Sequence, residues 1–223
     1  MGLLDEKQLN RQLRCKSAFG DDSAVSRLIH DGAQVNSTDS SGWTALHWAS
    51  HNGYTAVAYL LIENGADIRI RGLRGETALH KACYSGRTGL IHYLLGHLNN
   101  LRDINCRDNA GRTPLHYACF HDRTEAAMVL IRHGADITLR RDTGEQAVDS
   151  AQESVRAALT KLYGEVNKVW LARRAFLIVL VGCGYIPATY RDVQYTDDCD
   201  MTALERLRGD VLRNLNPLIF SFL

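Results

Sequence analysis

A chain of 223 residues with 45 % apolar side chains and a formal net charge of +1 suits one domain or one repeat array, and it is too apolar to remain disordered. The near balance of charge, with no long basic or acidic run, leaves no electrostatic footprint for non-specific nucleic-acid binding. The start, Met1 to Glu6, is acidic and lacks the apolar core of a secretory signal, and Glu6 stands where a myristoylation motif beginning at Gly2 needs Ser or Thr. Cys15, Cys83, Cys106, Cys119, Cys183 and Cys199 form no Cys-x-x-Cys pair, so they read as reduced thiols of a cytoplasmic or nuclear protein.

In chain order, the first marker is Asp31-Gly32-Ala33-Gln34-Val35, which returns as Asn64-Gly65-Ala66-Asp67-Ile68 and as His133-Gly134-Ala135-Asp136-Ile137. A second marker keeps the same phase. Thr44-Ala45-Leu46-His47 recurs as Thr77-Ala78-Leu79-His80, then as Thr113-Pro114-Leu115-His116, and in degenerate form as Gln146-Ala147-Val148-Asp149. Each Thr can cap a helix with its side-chain oxygen, and Pro114 occupies the one helical position where its missing N–H costs nothing. Gly42, Gly75 and Gly111 sit two residues before each Thr, a spacing that suits a tight turn with positive φ at a finger tip.

Gly20, Gly53 and Gly86 are expected to close the first helices, with Asp122 in their place in the fourth unit. Asp22, Thr55, Thr88 and Thr124 are expected to cap the second helices. Behind them, Val57, Leu60 and Leu61, then Leu90, Tyr93 and Leu94, then Ala126, Val129 and Leu130 recur at helical spacing and should face neighbouring units. The third unit carries three extra residues after Gly96, which should end its second helix early and leave a longer loop.

Two markers in one register, with the Thr-Pro-Leu-His-x-Ala motif, resemble the ankyrin-repeat family. The resemblance implies an all-α solenoid with short β-hairpin fingers. Its helix-turn-helix units would run about 5–37, 38–70, 71–106, 107–139 and 140–165, followed by a helical capping extension over 166–223. It also implies structural hydrogen bonds for His47, His80 and His116, which as members of successive units stand too far apart to share a zinc ion. Cys83 and Cys119, equivalent to Ser50, read as small core fillers.

No nucleotide, metal or hydrolase motif is present, so no enzyme, cofactor or metal is expected. The resemblance implies binding of another protein through the concave side of fingers and first helices. The positions that vary there carry Ser40, Ser41 and Trp43, then Leu73, Arg74 and Glu76, then Asn109, Ala110 and Arg112, and near the helix ends His51 and Asn52, Tyr84 and Ser85, Phe120 and His121. His51, Tyr84 and Phe120 share one register position. With Trp43, Arg74, Arg112 and His121 they make the expected contact surface, because aromatics and Arg dominate protein–protein hot spots.

From about residue 165 the repeat does not continue: Val155, Leu159, Leu162, Val166 and Val169 extend a helical stripe out of the last unit, and the apolar run from Phe176 to Ile186 is too short to cross a membrane and should cover that unit. Thr202 to Glu205 reads as a capping box, and Asn216-Pro217 as a further helix start. Val211 to Asn214 and Ile219 to Leu223 faintly resemble the F-box. The alternative function is therefore a substrate-recruiting adaptor of a ubiquitin ligase, with the tail as docking segment.

Overall fold

Asp5 opens the first helix of the fold by accepting the Gln8 N–H at 2.8 Å, and α1 (Glu6–Phe19) runs until Gly20 turns the chain at φ 75°. This is a computed structural model, and it describes residues 5–98, 101–153, 156–166 and 168. Helix α2 (Asp22–His30) follows at once, and the same antiparallel pairing recurs as α3 (Ala45–Asn52) with α4 (Thr55–Glu63), α5 (Ala78–Ser85) with α6 (Thr88–Gly96), and α8 (Pro114–Phe120) with α9 (Thr124–Arg132). A single turn, α7 (Leu101–Ile104), stands between α6 and α8, and a 3-10 turn (Ala147–Ser150) precedes a further helical stretch over 156–166.

Helices of seven to nine residues are marginal in water, so their stability must come from packing. The packing is in two layers. Helices α1, α3, α5, α8 and the 3-10 turn contact one another in succession on one side, and α2, α4, α6 and α9 do so on the other. The inner layer packs on small side chains: Ala45, Ala49, Ser50, Ala78, Ala82, Cys83, Ala118 and Cys119 are all buried. Between the layers lie Leu13, Val25, Leu46, Val57, Leu61, Leu90, Leu94, Leu115, Leu130 and Leu159. Each buried side chain of this size removes about 1.5–3 kcal/mol of apolar exposure. The expected faces hold, with Leu60 and Tyr93 at the half-buried edge.

The fingers are tight turns. Gly42, Gly75 and Gly111 have φ of 73°, 79° and 74°, and each donates its N–H three residues back, to Asp39, Gly72 and Asp108. Successive fingers are joined by single backbone bonds, Leu73 N–H to Ser41 O and Asn109 N–H to Arg74 O, both 2.9 Å. Among the described residues the only bridge pairing is Arg140 with Gln146. Gly53 and Gly86 close their helices in the left-handed conformation, and Asp122, at φ 54°, replaces them in the fourth repeat.

Two expectations need correction. The second helices are not capped by Thr55, Thr88 or Thr124, nor by Asp22. These are first helical residues, and the caps are Asp21, Tyr54, Arg87 and Arg123. Only Asp21 accepts a backbone N–H, from Ala24 at 3.0 Å, because it alone of the four carries a short side chain with an acceptor oxygen, whereas a guanidinium can only donate and a tyrosine hydroxyl lies too far from the backbone. Nor does Gly96 shorten its helix. Helix α6 has nine residues, like α4 and α9, and the extra residues lead into α7 instead.

Val155, Val169, the Phe176 to Ile186 run, Cys183, Cys199, the helix starts at Thr202 and Asn216 and the F-box-like segments lie outside the described residues. Among the described residues no helix is long and apolar enough to cross a membrane.

Candidate functional site

The finger face is held in place by three buried histidines. His47 Nδ1 accepts the Thr44 N–H at 3.2 Å and lies 2.9 Å from Thr44 Oγ1, while Nε2 donates to Glu76 O of the next finger at 3.2 Å. His80 does the same with Thr77 and Arg112 O, and His116 with Thr113 and Glu145 O. A backbone N–H can only donate and a carbonyl can only accept, so the partners assign the Nε2–H tautomer to all three rings. Each histidine thus caps its own helix and ties its repeat to the next. Burial holds all three imidazoles below the ordinary value, His80 at about 4. No group of three His, Cys, Asp or Glu side chains among the described residues could hold a metal ion.

At the ends of the inner helices the rings of five expected residues meet. Trp43 lies 5.4 Å from His51, His51 stacks on Tyr84 at 4.5 Å, Tyr84 meets His121 edge-on at 4.3 Å, and His121 meets Phe120 at 5.0 Å. The row spans three repeats. The step across the fourth inner helix differs from the expected line of His51, Tyr84 and Phe120. Helix α8 ends one residue short of a glycine cap, and His121, not Phe120, turns onto Tyr84. Phe120 is left pointing outward at 66 % exposure. Burial lowers the pKa of both His51 and His121, with Lys81 adding to the effect at His51 and Arg123 at His121.

The two arginines separate. Arg74 is exposed on the third repeat's finger, where its carbonyl accepts the Asn109 N–H. Arg112 is engaged within its own repeat. Its Nε donates to Asp108 Oδ2 at 2.8 Å, its NH2 donates to Tyr117 OH at 3.1 Å, and the guanidinium lies 4.9 Å from the Tyr117 ring centre. The guanidinium is thereby committed to shaping the finger.

Trp48, Lys81 and Tyr117 are not among the expected residues, and Glu76 is expected only as one of the varying positions of the face and not as a contact residue, yet all four floor it. Asp39 accepts two finger N–H groups and the Trp48 indole N–H at 2.9 Å, and Asp108 accepts two finger N–H groups and Tyr117 OH at 3.0 Å. Gly72 stands where these aspartates stand and offers no carboxylate. Glu76 supplies one from the far side of the turn. Its Oε1 accepts Lys81 Nζ at 2.9 Å and Trp43 Nε1 at 3.3 Å, and Lys81 Nζ sits 4.0 Å from the Trp43 ring centre. Glu76 and Lys81 are 2 % and 8 % exposed, so the pair is shielded. Burial raises the Glu76 carboxyl, but hydrogen bonds led by Lys81 more than offset this and hold it below its usual range. Aligning the repeats by register exposes the exchange of Asp for Gly at 72, and that is the signal that points to Glu76 and Lys81.

Among the described residues the thiols near this face take no part in it. Cys83 and Cys119 are buried behind the inner helices, and burial raises Cys83 well above, and Cys119 to about 12. Cys106, between Thr77 and His80, is pushed up to about 11 by burial, too high for a thiolate at neutral pH.

Two family models match the chain, one described as ankyrin repeats in three copies over residues 69–141 and one as ankyrin repeats in many copies over 13–62, together more than half of its length. Ankyrin repeat domain-containing protein 40 of Mus musculus and that of Homo sapiens are each 43 % identical over 61 residues, which is 26 % of this chain and 17 % of the relative. The chain therefore matches less than a fifth of the length of these curated relatives.

Proposed function

The chain belongs to the ankyrin-repeat family, whose repeats are protein–protein interaction modules, and from that premise we propose that it binds a partner protein through the concave side of its fingers and inner helices, without catalysing a reaction. The observation that carries this reading is the contiguous row of Trp43, His51, Tyr84, His121 and Phe120, ending in an outward Phe120 at 66 % exposure. The core needs none of these rings, since Leu and small residues fill both layers. Half-buried rings pinned by neighbours lose little side-chain entropy on binding, which makes them effective anchors. Arg74 extends the contact from the finger, while Arg112, Glu76 and Lys81 hold the floor in shape.

Cross-linking in cell lysate, followed by mass spectrometry, tests the reading. The full chain should capture one partner with cross-links mapping to residues 40–52, 73–85 and 109–121, and Phe120→Ala should lose that partner while melting like the parent. Capture that is unaffected by both Phe120→Ala and Tyr84→Ala would move the binding surface elsewhere.

A further inference from the structure

Charge is segregated along the solenoid although the whole chain is near neutral. Residues 69–141 carry 12 Lys and Arg against 6 Asp and Glu, a net of +6, while residues 5–68 carry 5 against 8, a net of −3. Most finger cations of the basic stretch are engaged within the fold. Arg71 and Arg107 each bond a carbonyl of their own finger and one of the next, Arg112 is on Asp108, Lys81 on Glu76 and Arg141 on Glu145.

Arg87 and Arg123 differ. They are the equivalent caps of α6 and α9, both exposed, and neither is in an ion pair among the described residues. Each lies against the glycine that closes the preceding inner helix. A methyl group on Gly53 would meet Arg87 Nε at 2.5 Å, and one on Gly86 would meet Arg123 Cδ at 2.6 Å. Arg123 Nε also donates to Tyr84 O at 3.1 Å. These contacts hold one guanidinium near the His51 end of the ring row and the other at Tyr84. The two belong to successive repeats whose helices stack about 8–10 Å apart.

We propose that the occupant of the ring row is an acidic, extended segment of a partner protein, with carboxylates three residues apart seated on Arg87 and Arg123 and apolar side chains between them on Tyr84, His121 and Phe120. This rests on the concave-surface reading above. A polyproline-type chain repeats its orientation every third residue and rises about 3.1 Å per residue, so carboxylates at i and i+3 lie about 9 Å apart on one side, matching the stacking distance. Counted through Asp142 and Glu145, which pair with Arg107 and Arg141, residues 69–145 keep 12 cations against 8 carboxylates, a net of +4, which favours such a segment over a basic one at every separation within a screening length.

Fluorescence anisotropy with the full chain provides the test. The probes are a labelled peptide with Asp at every third position and Leu and Pro between, the same residues with the aspartates clustered at one end, the first peptide with Lys for Asp, and a single-stranded oligonucleotide of similar length. The spaced Asp peptide should bind tightest and weaken with added salt. Arg87→Gln with Arg123→Gln should weaken it about fivefold, two exposed ion pairs' worth, with only a small drop in melting temperature from losing the Arg123 bond to Tyr84 O. Arg132→Gln, at the opposite end of α9, should leave it unchanged. Equal or tighter binding of the clustered, Lys or nucleic-acid probe overturns the proposal, as does indifference to the double variant or failure of every peptide to bind. If the peptides fail while Phe120→Ala still abolishes capture of the cross-linked partner, the acidic ligand is wrong and the surface stands.

Discussion

Protonating His80 should loosen the stack between the third and fourth repeats. Both ring nitrogens are committed in the neutral form, Nδ1 accepting from Thr77 N–H and Nε2 donating to Arg112 O, so a proton on Nδ1 breaks the cap that starts α5. The folded-state pKa lies at about 4 against 6.5 for an ordinary histidine, with burial as the leading cause. The sign follows from that depression. The unfolded chain takes up the proton first, so the contribution is complete above pH 6.5 and is lost as pH falls toward 4. At pH 5 the unfolded chain has bound the proton and the folded chain has not, which costs about 2 kcal/mol for His80 alone. His47 and His116 are shifted in the same direction and steepen the fall. Urea melts at pH 7.5 and 5 of the full chain and of His80→Gln measure the effect. The variant should start less stable, by about 1–3 kcal/mol for the unpaired groups it leaves, and should lose about 2 kcal/mol less than the parent between the two pH values. Equal losses in both proteins would refute the tautomer and the linkage.

Other outcomes follow from the same geometry. Phe120→Ala should weaken partner binding by more than about 1 kcal/mol in titration calorimetry with little change in the melt, whereas Tyr84→Ala should weaken binding and also lower stability modestly, since it loses its contacts with His51 and His121. Lys81→Met should destabilise by about 3 kcal/mol by leaving Glu76 buried and unpaired, and adding Glu76→Gln should recover part of it in denaturant melts; additive losses would remove the pair as a unit. Gly65→Ala should cost about 1 kcal/mol, because only its φ of 85° resists a side chain, but Gly75→Ala should cost distinctly more, because its new methyl also meets the Asn109 backbone nitrogen at 2.9 Å. A chelator should leave the melting midpoint unchanged, since both ring nitrogens of His47, His80 and His116 are already bonded within the fold.

Local chemistry was legible in the sequence wherever a residue's role depends on near neighbours in the chain. The Thr cap, the finger glycine two residues before it and the closing glycine each answer to backbone geometry within a few residues, so their spacing disclosed the turn–helix–turn unit and its repetition. Position in the register likewise brought Trp43, His51, Tyr84 and Phe120 to one face. What the tertiary structure alone decided is which partner each side chain takes, within its own finger or one repeat away. His121 rather than Phe120 completes the ring row because α8 ends without a glycine, and Arg112 is drawn to Asp108 and Tyr117. Glu76 supplies the carboxylate missing at Gly72 because stacking brings Trp43 to it from the preceding repeat while Lys81 reaches it from α5 of its own. Side-chain pairing across repeats depends on which rotamers the neighbouring finger leaves open, and a periodic sequence pattern specifies the register of those contacts but not their choice of partner.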